Sequence, residues 1–144
     1  MHNWFEVKIK YEKTAEEGKI VKISEKYLID ALSFSEAEAR IIKEMEPFIS
    51  GEFQIVNITP KRINEMFENE NGDKWYSSKV YFISLDEEKG VEKLTGTTMF
   101  VQANDIKEAE EGIVEGMKGS MADYRIGKII ETDILNIFKY EKPE

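Results

Sequence analysis

The sequence predicts an α+β fold built from an internally duplicated β-β-α-β(β) repeat, with two helices packed on antiparallel sheet in pseudo-twofold symmetry. Three observations predict it. The chain of 144 residues resembles itself at a nearly constant offset, apolar and charged residues alternate at the start of each half, and each half contains one helix-capping motif. Alternation is typical of a half-buried strand, and the capping motifs mark helix N-termini.

The self-similarity runs through both halves. Trp4 recurs as Trp75, an offset of 71, and Ile29 recurs as Val101, an offset of 72. The offset changes only at predicted loops, where insertions are tolerated. An Asn-Gly turn signal ending at Gly72 separates the halves. We therefore expect a first repeat at 1–72 and a second at 73–144, which together form one compact domain.

Two strands are expected to open each repeat. Between Phe5 and Tyr11, apolar residues alternate with Glu and Lys, and a second strand is expected over residues 19–31 after a Glu-Glu-Gly loop. A third strand is expected at 53–58 and at 124–130. In the first repeat Pro60 indicates a bend, and a fourth extended segment should follow at 62–67 and at 133–140.

One helix is expected in each repeat, after the motifs Ser33-x-x-Glu36 and Asp105-x-x-Glu108. The helices should span residues 34–45 and 106–117. Apolar residues spaced by four form one stripe on each helix, which we expect to be buried. The stripes are Ala37, Ile41 and Met45 in the first helix, and Ala109, Ile113 and Met117 in the second.

Composition excludes several classes of function. The chain has no cysteine and a single histidine, His2, so it cannot build a thiolate metal site, a cysteine nucleophile or a Ser-His-Asp triad. Its net charge of −9 disfavours a duplex-DNA binder. We expect no enzyme activity, no metal and no cofactor, although a metal-dependent hydrolase that uses carboxylates alone stays open.

Aromatic and basic residues recur at the start of each repeat. Trp4 and Lys8 are expected on the outer face of the first strand, with Trp75 and Lys79 at the matching positions. An aromatic ring beside a cation can stack on a base and contact a phosphate. The alternative is that each Trp packs under a loop and each Lys is simply solvated.

A second basic pair distinguishes the repeats. Lys61 and Arg62 follow Pro60, whereas the matching residues of the second repeat are Thr132 and Asp133. With other cations, Arg125 among them, this pair could form a local basic patch for a small anionic ligand. Divergence on a solvated loop is the alternative.

Several segments resemble a known family. They are Asn3-Trp4-Phe5, the run 27–31 leading into residues 35–39, the restart Asp73-Lys74-Trp75-Tyr76, and the segment 119–124. Together they resemble domain-of-unknown-function family 4494 of Bacteroidetes-type bacteria and their phages. The resemblance implies a cytosolic, phage-encoded or bacterial protein and brings no activity or site residues with it.

The expected function is a non-enzymatic binding module of unknown partner, homo-oligomeric and cytoplasmic in a bacterial or phage-infected cell. No membrane span is expected. Two alternatives stay open: a phage-type scavenger of small anionic nucleotide signals that counters host defence, and a single-stranded nucleic-acid-binding protein. A host protein is a further candidate partner.

Overall fold

The computed structural model describes residues 3–140 and confirms the α+β class, with two helices and two four-stranded sheets. Both halves have the same order of strands and α-helices, and a 3-10 turn, Glu16–Gly18, lies between the first two strands of the first half. The first half contains β1 (Trp4–Thr14), β2 (Ile20–Asp30), α1 (Phe34–Met45), β3 (Phe53–Lys61) and β4 (Glu65–Phe67). The second contains β5 (Lys74–Asp86), β6 (Val91–Ala103), α2 (Ile106–Gly116), β7 (Asp123–Glu131) and β8 (Ile134–Phe138).

The chain divides into two compact units. Unit 1 comprises the chain up to Arg62 together with the chain from Asp133 onward, and unit 2 comprises Ile63–Thr132. In unit 1 the strand order is β3-β1-β2-β8, and in unit 2 it is β4-β6-β5-β7. The units therefore do not coincide with the sequence repeats, because the fourth strand of each half belongs to the unit formed by the other half.

The exchanged strands make both sheets mixed. β8 pairs in parallel with β2, with Tyr27 opposite Asn136, and β4 pairs in parallel with β6, with Met66 opposite Phe100. The remaining pairs, β1 with β2 and β3, and β5 with β6 and β7, are antiparallel. The expected antiparallel pairs are therefore present, and each sheet adds one parallel pair because each fourth strand lies at a sheet edge beside a strand that runs in the same direction.

Both helices begin as predicted. The Ser33 side chain accepts a hydrogen bond from the Glu36 amide, and the Asp105 side chain accepts one from the Glu108 amide at 2.7 Å. Each helix covers one face of its own sheet. The buried helical residues are Ala37, Ile41 and Met45 in unit 1 and Ala109 and Ile113 in unit 2, with Met117 as the C-cap of α2.

One proline and two β-bulges affect the course of the strands. Pro60 lies inside β3, which continues to Lys61, so the predicted bend does not occur at Pro60. The proline is tolerated because β3 is an edge strand, where a missing N–H need not break a hydrogen bond. A β-bulge shifts the register after Lys8 in unit 1 and after Lys79 in unit 2. The bulge leaves Gly127 as the extra residue of β7.

Among residues 3–140, no helix is long and apolar enough to cross a membrane.

Candidate functional site

The two tryptophans predicted for an outer face are buried. Trp4 is 4% exposed and Trp75 is 6% exposed. Neither ring offers a free face to a base, so the interpretation of Trp4 and Trp75 as exposed stacking residues is wrong. Both large rings lie near the start of a long strand and are buried, although neither belongs to the cluster under α1 or α2.

Carboxylates lie close to some of the basic residues of unit 1. Lys61 lies in register with Trp4, and its Nζ is 4.0 Å from a carboxylate oxygen of Glu6. Arg62 is exposed immediately after β3. Lys8 is half-buried and lies opposite Lys26, whose Nζ is 3.2 Å from Asp133.

In unit 2, two of the predicted residues come together. Lys79 and Arg125 lie on the face of the sheet opposite α2, because Tyr76 and Val80, which alternate with them, belong to the core under α2. Lys128 lies directly opposite Lys79 on the same face. Lys79 is half-buried, whereas the other two cations are exposed.

A tyrosine ring lies between these cations. Tyr81 is opposite Arg125 on one side and opposite Gly96 on the other. A Cβ atom at Gly96 would lie 3.3 Å from Tyr81 Cε1, and one at Gly127 would lie 2.5 Å from Tyr81 Cε2. The half-buried ring therefore lies above both glycines. A side chain in place of either glycine would occupy the space that the ring fills.

We call the surface formed by Lys79, Tyr81, Arg125 and Lys128 the Tyr81 face. Among residues 3–140, none of its three cations lies within 4.0 Å of a carboxylate. Two acidic residues, Asp123 and Glu92, lie further along the same face, and both are exposed. The face thus combines an aromatic ring with three positive charges that are available to an anion.

Unit 1 lacks an equivalent face. The residue in the place of Tyr81 is Lys10, and an exposed Val56 stands where unit 2 has Gly127. The positions of the two exposed cations are occupied by neutral amides, Gln54 and Asn57. The arrangement is therefore a property of unit 2 and not a requirement of the fold that both units share.

One family model covers the part of the chain that contains this arrangement. A family model described as Domain of unknown function (DUF4494) matches residues 3–140. The chain belongs to the DUF4494 family. Neither the curated proteins nor the solved structures gave a match to this DUF4494 domain.

Sequence reasoning identified Lys79 and Arg125 of the DUF4494 domain but missed Tyr81 and Lys128. The available signal was glycine within a strand pattern, which marks a bulge or a close approach of another group. Both Gly96 and Gly127 occur only in the second repeat. The glycines indicate that another group approaches closely, but only the sheet register shows that this group is Tyr81.

Proposed function

We propose that this DUF4494 domain is a non-enzymatic binding module whose Tyr81 face binds a small anionic ligand with a planar ring, the chemistry of a nucleotide. The observation that carries the proposal is the Tyr81 ring seated across two glycines between three cations without carboxylate partners. It favours the anionic-ligand alternative over a module that contacts only proteins.

Each group of the Tyr81 face has a role in this proposal. The half-buried ring of Tyr81 offers a stacking surface, and stacking of one base on an aromatic side chain is worth about 1–3 kcal/mol. The Arg125 guanidinium can donate two parallel hydrogen bonds to a phosphate, whereas Lys79 and Lys128 act as point charges. The net charge of −9 opposes a long polyanion more than a single nucleotide, which supports the small ligand.

The wider setting of the module is also a proposal. We place it in the cytoplasm of a bacterial or phage-infected cell, where sequestering a nucleotide signal would counter host defence. Homo-oligomerisation stays a prediction, and light scattering across a range of protein concentrations measures it.

The experiment is a calorimetric titration with adenosine monophosphate at low salt, compared with adenosine and with inorganic phosphate. The test variant, Arg125→Gln with Lys128→Asn, gives unit 2 the residues found in unit 1. We expect its Kd for the nucleotide to rise about tenfold or more, because charge-assisted hydrogen bonds are lost. The control, Lys89→Gln with Lys107→Gln, removes the same charge elsewhere in unit 2 and should leave the Kd unchanged.

Two results would overturn the proposal. One is an equal loss of affinity in the test and control variants, which would indicate general electrostatics. The other is binding of a single-stranded oligonucleotide with a steep salt dependence and no measurable binding of the mononucleotide, which would favour the nucleic-acid alternative.

A further inference from the structure

Unit 1 contains a cavity that is separate from the Tyr81 face of unit 2. It lies beside the C-terminal end of α1, against β1, β2 and the exchanged strand β8, and has a volume of about 310 Å³. This is the lower end of the range for small-molecule sites. Its lining includes Tyr11, Glu25, Tyr27, Phe48, Leu135 and Phe138.

The polar end of the cavity is a carboxylate with two phenols. Glu25 is half-buried on the face of the sheet that α1 covers, next to Tyr27 along β2 and diagonal to Tyr11 on β1. A hydrogen bond to Glu25 is the main cause that raises the pKa of Tyr11. Burial, followed by the negative charge of Glu25, raises the pKa of Tyr27 to about 12. Both phenols therefore keep their protons at neutral pH beside the Glu25 side chain.

The carboxylate has room for a further partner. A carboxylate offers about four lone-pair sites, so two phenols could fill only part of them. Among residues 3–140, no Lys or Arg nitrogen lies within 4.0 Å of Glu25. An ammonium group from a ligand would supply the cationic partner that this carboxylate lacks among the described residues.

Apart from Asn136, the rest of the cavity lining is apolar and aromatic. The Phe138 ring stacks on Tyr27, with centroids 5.6 Å apart and planes inclined by 30°. Phe48 and Leu135 are 75% and 56% exposed, so they form an uncovered rim. Aromatic faces around a cavity also attract organic cations.

Unit 2 shows that the fold does not require this polar end. The residues in the places of Tyr11, Glu25 and Tyr27 are Phe82, Thr97 and Met99. None of them is acidic, and the Thr97 hydroxyl donates to the Val80 carbonyl at 3.0 Å. The Tyr-Glu-Tyr group therefore belongs to unit 1 alone, which is what a ligand site predicts.

We propose that this cavity binds a small organic ammonium ion whose apolar body lies between Phe48, Leu135 and Phe138 and whose charged group contacts Glu25. Charge complementarity selects this ligand class, because an anion would be repelled by the carboxylate and a wholly apolar molecule would supply no cation for it. The proposal is independent of the anion site proposed for unit 2.

The experiment uses 2-phenylethylamine as the probe, with 2-phenylethanol as the neutral analogue of the same shape and phenylacetate as the anion. NMR titration of the full chain reports binding residue by residue. We expect saturable shifts for unit 1 with the amine, and binding of the alcohol and of phenylacetate weaker by about tenfold or more, as loss of a charged hydrogen bond predicts.

Variants separate the carboxylate from the apolar lining. Glu25→Gln keeps the shape and should weaken amine binding about tenfold while leaving alcohol binding unchanged. Glu38→Gln, which removes an exposed carboxylate from α1, is the matched control and should leave the affinities for the amine and the alcohol unchanged. Phe48→Ala should weaken the binding of both the amine and the alcohol.

Three outcomes would overturn the proposal: equal affinity of the amine and the alcohol, an unchanged Kd in Glu25→Gln, or no saturable shift at millimolar amine. The comparison of the three probes needs no variant, so it tests the proposal even where Glu25→Gln does not fold.

Discussion

Tyr27 of β2 stacks on Phe138 of β8, with ring centroids 5.6 Å apart. The contact joins the first half of the chain to its last strand, which pairs in parallel with β2 at these positions. Phe138 also packs against the buried cluster formed by α1 and its sheet. The core of unit 1 is therefore completed by residues that are more than a hundred positions away in sequence.

We predict that Phe138→Ala lowers the free energy of unfolding by about 2 kcal/mol, because it removes a half-buried aromatic ring and its stacking contact. Urea unfolding followed by circular dichroism measures this. Leu135→Ala on the same strand is the control, since Leu135 is 56% exposed, and it should cost much less. Equal effects of the two substitutions would show that the ring does not complete the core.

The turn before β5 gives a second prediction. A Cβ atom at Gly72 would lie 2.7 Å from the backbone nitrogen of Ala103 and 2.8 Å from its Cα. Backbone atoms cannot move aside as a flexible side chain can, so Gly72→Ala should lower the free energy of unfolding by about 2 kcal/mol or more. Urea unfolding of the variant measures the effect.

Asn71→Ala is the matched control for Gly72→Ala. Asn71 is exposed, and the structure shows its backbone groups in hydrogen bonds that an alanine would keep. We expect less than about 0.5 kcal/mol for this substitution. A Gly72→Ala protein as stable as Asn71→Ala would show that the turn has room for a side chain.

The helices were predictable because their signals are local. The cap residues Ser33 and Asp105 hydrogen-bond within three residues, and α1 spans the predicted residues. The partners of β4 and β8 were not predictable, because alternation indicates a strand but contains no information about which sheet edge receives it. The short strand Glu65–Phe67 could have joined either unit on its pattern alone.

The candidate sites show the same division between local and long-range information. Lys79 and Arg125 were identified from repeat positions and charge, and the sheet register brings them together around Tyr81. The tryptophans lie on the sheet face opposite the helices, as alternation predicts, because the next residues, Phe5 and Tyr76, pack under α1 and α2. Alternation does not show that this face is also covered where the tryptophans lie. Glu25 was missed because its significance depends on the exchanged strand that forms one wall of the cavity.

The N-caps give a third prediction. Ser33→Ala and Asp105→Ala should each lower the free energy of unfolding by about 1 kcal/mol, because each leaves one helix-terminal N–H without its acceptor. Urea unfolding of both variants is the measurement. Ser35→Ala, inside the first turn of α1, is the control and should be near neutral; a loss as large as that of Ser33→Ala would contradict the role of the cap.

Alkaline pH provides the fourth prediction, through Tyr27. Its pKa is raised from the ordinary 10.0 to about 12, first by burial and then by the charge of Glu25. Between pH 10 and pH 12 the folded protein keeps the phenol proton that the unfolded chain releases, so the free energy of unfolding falls as the pH rises through this interval. Tyr27→Phe has no such proton and should lose less stability over the same interval.

The measurement is urea unfolding of the wild type and Tyr27→Phe at pH 8, 9, 10.5 and 11.5. At pH 8 and 9 the Tyr27 phenol is protonated in both states of the wild type, so the difference in stability between the two proteins should be constant there. Above pH 10 the wild type should lose more stability than Tyr27→Phe, because only the wild type has the Tyr27 proton. The lysines titrate in both proteins, so their effect cancels in the comparison. Parallel curves up to pH 11.5 would mean that the folded structure does not hold the Tyr27 proton more tightly than water does.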